Sequence, residues 1–356
     1  MSDPSSPLPR DPAPSSLVHN GEYRFGTYDG PIAHLNPEDS VKGSGAAGWL
    51  GRTVRTLRMK EWQAFQLGND EWFVLGAVYD AKFVALLQVL AVHKESGRIH
   101  RWEKKIPSLQ LSVARGLDGT RSHGRTGDFA IALGNEVSLG RLTVDATHPG
   151  DGAGLPALEL HGVGHCAPDL AAHLVIAHPF ADGRSLYSDK CMMPFGGTLR
   201  IGDQDVSFDT DSSFMILDDH HGEYPSPLQY DWLTGARRTA EGTLQGFNLT
   251  ANQIQDPERY NENAIWIDNT VHRLPAVRFE RPNGVNDVWL VTDAHGQVDV
   301  RFTPTVRSEM HVGPRKILAE YFAPYGWFEG RLAAADGATL DLDGFFGVGE
   351  QKLIRL

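Results

Sequence analysis

The chain has 356 residues, long enough for two ordinary domains or one large all-β domain. Apolar residues make up 41 % and charged residues 22 %, the balance of ordinary globular material. A formal charge of −12 and a pI near 5.6 argue against nucleic acid or an anionic membrane as partner, because both want a basic surface.

Residues 1–16 are rich in Pro and Ser and contain no apolar signal-peptide core. Residues 1–19 are therefore expected to form a disordered tail. Short capped turns are expected at 36–39, running into 43–51, and again at 257–263. The most apolar stretch, 72–92, is interrupted by Asp80 and Lys82, so it reads as two strands and not as a membrane span. It opens a three-stranded meander over 72–79, 83–93 and 98–106. Strand patterns continue at 136–144, 171–177 and 214–217. Hairpin signals follow at 287–292 with 297–302, and at 326–333 with 338–342, and the segment 347–354 is placed to close a sheet. The 38 glycines are spread evenly between short apolar runs, the punctuation of many strands and turns. The fold expected is all-β, with at least two antiparallel sheets or barrels and few short helices. A soft boundary in 181–188 divides it into domains 20–185 and 186–356.

The densest run of titratable groups follows the apolar lead-in at 214–217: Asp218, Asp219, His220, His221, Gly222. On an extended strand Asp218 and His220 share one side while Asp219 and His221 share the other. One Asp/His pair then faces an interior, and the sequence leaves open which. An inward Asp beside an inward His suits proton transfer, the carboxylate orienting the imidazole. Tyr224, Tyr230, Asp231 and Trp232 return after the Pro225-Ser226-Pro227 kink, where aromatic rings either line a pocket or pack. A second constellation joins Asn248 to Glu262, Asn263 and Trp266; Glu262 reads as an interior acid or a structural carboxylate. Glu350 carries the same ambiguity.

His161 and His165 have the spacing of a helical zinc motif but lack its Glu, and two intervening glycines oppose a helix, so they are ligands only if partners such as Asp218, His220 and His221 join them, and no metal is assigned. Cys166 and Cys191 lack the spacing of a metal site or disulfide scaffold, and a reducing cytoplasm fits them best. Phosphate-binding loops, dinucleotide fingerprints and Gly-x-Ser-x-Gly elbows are absent, which counts against nucleotide-dependent and serine-hydrolase chemistry.

The run from Asp218 to Gly222 with the Tyr230-Asp231-Trp232 return resembles a motif of calycin-like, double-lipocalin proteins. Asn248-Leu249, the stretch from Glu262 to Trp266 and Val288-Trp289 look like the second half of an uncharacterised bacterial family in that superfamily. Gly326-Trp327-Phe328 and Gly347-Val348-Gly349-Glu350 agree with it. Its relatives include carotenoid hydratases and tocopherol-cyclase-like proteins. The resemblance implies two tandem antiparallel lipocalin-like barrels or half-barrels with an apolar cavity near their interface. It also implies cofactor-free acid–base chemistry in the members that are enzymes. Where a tryptophan commonly follows the Asp in the family, this chain has Asp219 and His220.

The leading expectation is a hydratase, isomerase or cyclase acting on an apolar, terpenoid- or lipid-like molecule, without a cofactor and without membrane insertion. Asp218 or Asp219 is the expected proton donor, its pKa raised by desolvation. His220 or His221 orients it or deprotonates water, and Glu262 is a second acid/base or a support. Tyr224, Tyr230 and Trp232 line the pocket, with Asp231, Asn248, Asn263 and Trp266 as further contacts. A non-catalytic carrier on the same scaffold is the rival from another class. A metal-dependent or glycoside-hydrolysing β protein is a third.

Overall fold

The computed structural model describes residues 10–41, 45–312 and 319–355. Two antiparallel sheets, each curled around its own apolar interior, are stacked on one another. The first sheet contains the meander read from the sequence: Trp72–Asp80, Ala85–His93 and Ile99–Ile106 pair in order, with Lys60–Gly68 ahead of them. Trp72–Asp80 and Ala85–His93 form from near-continuous apolar runs because both of their faces are largely buried. One face packs into the first half-barrel (Phe65, Val74, Leu87) and the other packs against the second sheet (Phe73, Leu90, Val92).

The strand Ser185–Ile201 organises the first sheet. Its first part lies between Ala172–Pro179 and Phe214–Gly222, and its second part pairs with Leu158–His165 and Gln204–Phe208. Gly197 lies where it crosses Leu158–His165. A Cβ there would sit 2.4 Å from the His161 carbonyl oxygen and 2.7 Å from Gly162 Cα, so no side chain fits. The second sheet runs from Leu228–Arg238 to Phe345–Ile354 and includes the expected hairpins, Trp289–Asp293 with Val298–Val306 and Tyr325–Ala333 with Thr339–Asp341. The chain thus changes sheet between Gly222 and Leu228, later than the soft boundary at 181–188. A third apolar layer, including Ile216, Met192, Trp266 and Phe346, joins the two sheets.

Several local expectations are corrected. The strand expected at 136–144 is instead two paired strands, Phe129–Glu136 and Arg141–His148, because the chain reverses at Gly140 with φ of 69°. Of the segment at 43–51, residues 45–51 belong to a helix, Gly45–Arg58, and 43–44 lie outside the described residues. The expected tail overlaps the described residues from 10 onward, and these are packed. Leu17 and Val18 are buried with Tyr187 and Val175, and the Arg10 guanidinium donates to the His173 carbonyl oxygen at 3.0 Å. Residues 1–9 lie outside the described residues. Among the described residues, no helix is long and apolar enough to cross a membrane.

Candidate active site

Strand alternation divides the 218–221 run between two compartments. Asp218 and His220 point the same way as Phe214 and Ile216, toward the layer between the sheets, and line a cavity of about 630 Å³. Trp62, Ala64 and Ala77 from the first sheet and Tyr230, Trp232 and Lys352 from the second form much of its wall, which is predominantly apolar. Asp219 and His221 point the other way with Met215 and Leu217, into the first half-barrel.

The cavity cluster is built around Lys190, the cross-strand neighbour of Asp218. Its buried ammonium donates to Asp218 Oδ1, lies 3.6 Å from Glu262 Oε2 and stands 5.2 Å from the Trp232 ring centroid. Asp218 Oδ2 accepts from Trp62 Nε1 at 3.2 Å. The His220 ring stacks on Trp62 with centroids 4.5 Å apart. Its Nε2 is 3.0 Å from Asp218 Oδ1, 2.9 Å from Ser188 Oγ and 3.6 Å from Glu262 Oε2, while Nδ1 faces the Tyr224 hydroxyl at 3.3 Å. His178 Nε2 approaches Glu262 Oε1 at 3.3 Å.

These neighbours decide the charges. Burial pushes the Asp218 carboxyl up, but the Lys190 ammonium and His220 outweigh it and hold the group well below the usual range. Burial likewise raises Glu262, and His220, His178 and Lys190 bring it down to about 2. Burial lowers the Lys190 ammonium, and Asp218 and Glu262 more than restore it. Burial, with Glu262 adding to it, pushes the Tyr224 phenol well above 10, so it keeps its proton. The result is a neutral phenol and two ionised carboxylates joined through one imidazole. A proton can pass along that line.

The raised pKa expected of the cavity-side Asp is therefore corrected. Asp218 faces the cavity but is ionised. Asp219 is the carboxyl that burial raises, yet it lies on the opposite face of the strand. There Asp219 Oδ1 sits 3.3 Å from His221 Nε2, and His221 Nδ1 is 3.2 Å from Glu61 Oε1. Lys82 and Arg115 also contact Glu61, so this is a separate buried charge network.

The remaining residues sort by the same alternation. Tyr224, Tyr230, Trp232 and Glu262 line the cavity. Asp231 does not: it pairs with Arg281 at 2.7 Å on the other face of its strand. Asn248 stands behind the wall, accepting from Trp232 Nε1 at 2.5 Å and donating to the Glu262 carbonyl oxygen at 2.7 Å. Asn263 ties Thr250 to Pro275 through backbone groups, and Trp266 is packed between the sheets with Nε1 on the Ala172 carbonyl oxygen. Lys190 and Trp62 were not anticipated. The available signal for Lys190 was a lysine directly ahead of the apolar Cys191-Met192-Met193 run, in a strand buried on both faces there.

His161 lies on a strand and pairs with Asp145 at 2.8 Å, and among the described residues no group of three or more His, Cys, Asp or Glu side chains is arranged to hold a metal. Cys166 and Cys191 are both free and buried.

Residues 12–356 match the family described as "Domain of unknown function (DUF2804)", and the chain belongs to it. Among solved structures, kievitone hydratase from Nectria haematococca is similar at TM-score 0.52 and 14 % identity, over 83 % of this chain and 88 % of that one. A structure of CghA with Sch210972 is similar at TM-score 0.49 and 12 % identity, over 84 % and 88 %. At these identities the likeness is one of fold, the lipocalin-like double half-barrel. No curated protein matches the sequence.

Proposed function

We propose that this member of the DUF2804 family is an acid/base enzyme of the hydratase, isomerase or cyclase type, acting without a cofactor on an apolar small molecule held between the two sheets. The observation that carries this reading is the position of His220. Its imidazole is at the cavity wall, between the Tyr224 phenol on one nitrogen and the Asp218 and Glu262 carboxylates on the other. Tyr224 and His220 move the proton, while Asp218 and Glu262 orient the imidazole and Lys190 keeps Asp218 ionised. The hydratase among the proteins of similar fold supports the reaction class. The glycoside-hydrolysing alternative loses ground, because these carboxylates sit in a mainly apolar cavity and not in an open polar groove.

The test is incubation of the purified protein with a panel of terpenoid and unsaturated lipid-like compounds in H₂¹⁸O and in D₂O, read by mass spectrometry. Uptake of ¹⁸O marks hydration, and uptake of deuterium marks isomerisation or proton-initiated cyclisation. The His220→Gln variant is expected to lose the label while still binding the compound. Compounds that bind and return unlabelled from the wild type would establish the carrier reading instead.

A further inference from the structure

Glu350 and Lys352 are two residues apart on the strand Phe345–Ile354 and project from the same side of the second sheet into the cavity. The Glu350 carboxylate is already engaged: Tyr230 Oη donates to one oxygen at 2.9 Å and Tyr321 Oη donates to the other. Those bonds fix two rings whose centroids each lie 4.8 Å from Lys352 Nζ. Trp62 and Tyr79 complete the box at 5.7 and 5.9 Å. Four rings thus surround one ammonium group. Among the described residues, no hydrogen bond or salt bridge joins that ammonium to a side chain.

Cation–π contact attracts the charge but consumes none of its three N–H donors. Lys352 is half-buried, so its free donors face space where water or the acceptor of a bound ligand meets them. Burial lowers the Lys352 pKa, with Glu350 and Asp218 opposing the shift. The charge of the lining points the same way. The protein as a whole carries −12, yet Lys60, Lys105, Lys190 and Lys352 line this cavity against three carboxylates.

We propose that Lys352 receives the carboxylate of an apolar acid, so that the ligand of this cavity has an anionic head and a hydrocarbon body. This rests on the acid/base reading of the same cavity and adds the class of substrate. Trp62 connects the two ends: His220 stacks on its ring and Lys352 lies over it, so the bond that reacts is close to the acid head. A cationic ligand is disfavoured because four ammonium groups already line the space against three carboxylates.

The experiment compares decanoate, decanol and decyltrimethylammonium, one chain length with three head charges, by calorimetric titration at pH 7. Wild type is expected to bind decanoate at least tenfold more tightly than decanol, and decyltrimethylammonium most weakly. In Lys352→Met the preference for decanoate over decanol is expected to disappear while decanol affinity is retained, and Lys352→Arg is expected to keep it. Decanol binding reports that each variant is folded with its cavity intact. Equal binding of all three heads by the wild type, or a preference that survives in Lys352→Met, overturns the assignment of Lys352 alone. Failure of every probe to bind the wild type overturns the apolar-cavity reading beneath it.

Discussion

Replacing Lys190 by Met keeps the length and apolar stem of the side chain and deletes its charge. The ammonium is 3 % exposed and Glu262 is 2 % exposed. At their 3.6 Å separation and an effective dielectric of about 20, the attraction is about 4 to 5 kcal/mol. Asp218 is in direct contact as well. Desolvation offsets much of this while the cluster is intact, but removing one partner leaves buried carboxylates uncompensated, at a cost of about 3 to 5 kcal/mol. The sign of the pH dependence identifies the cause. In the wild type both carboxyls are held below their unfolded values, so their contribution is fully present above about pH 4 and is lost as pH falls toward 2 and below. In Lys190→Met burial gains at Asp218 and raises it, so the stability it contributes is present at low pH and lost as pH rises through the new value. Urea unfolding of both proteins at pH 5 and pH 8 is expected to show the full cost at pH 8 and about half of it or less at pH 5. A cost equal at the two pH values, or below about 1 kcal/mol as for an exposed pair, would refute the account of Lys190 as the leading group that keeps Asp218 charged.

Ala77→Phe places a ring in the cavity, and decanol is expected to bind roughly tenfold or more weakly with the unfolding midpoint little changed. His221 is raised to about 9: burial opposes the shift, but Asp219 and Glu61 outweigh it. Its contribution is therefore fully present below about pH 6.5 and is lost as pH rises through about 9, roughly 3 kcal/mol in all. Stability curves from pH 6 to 10 are expected to fall in the wild type and to flatten in His221→Gln. Gly197→Ala is expected to destabilise by about 1 to 3 kcal/mol in urea unfolding, since the new methyl meets backbone that is itself paired in the sheet.

Much of the fold was legible because the strands at 72–93 are long apolar runs bounded by turn residues, and the late hairpins turn at Ala294-His295-Gly296 and Ala335-Asp336-Gly337. The strand Asp118–Thr126 was not. It reads Asp-Gly-Thr-Arg-Ser-His-Gly-Arg-Thr, without an apolar side chain, and is held by its pairing with Phe129–Glu136. The early placing of the boundary has a related cause. Residues 181–188 carry loop composition and do include a turn, but the strands on either side of it pair with each other in one sheet.

The candidate site was half legible for a more specific reason. Period-two alternation correctly limits the 218–221 run to one Asp and one His per compartment. It does not decide sides, because the strand is buried on both faces and both parities carry apolar partners, Phe214 and Ile216 on one and Met215 and Leu217 on the other. The charge state was hidden at a second level. The argument that a buried Asp becomes an acid assumes that desolvation goes unanswered, and Lys190 answers it from the neighbouring strand, 28 residues earlier. That pairing depends on sheet register, which no local pattern encodes. The same register places Ser188 opposite His220, and it puts Asp189 opposite Asp219, adding a like charge where burial already raises the carboxyl. One strand pair therefore sets a low carboxyl on the cavity side and a high one behind it. The buried carboxyl on the cavity side is thus not the protonated one that desolvation alone would select.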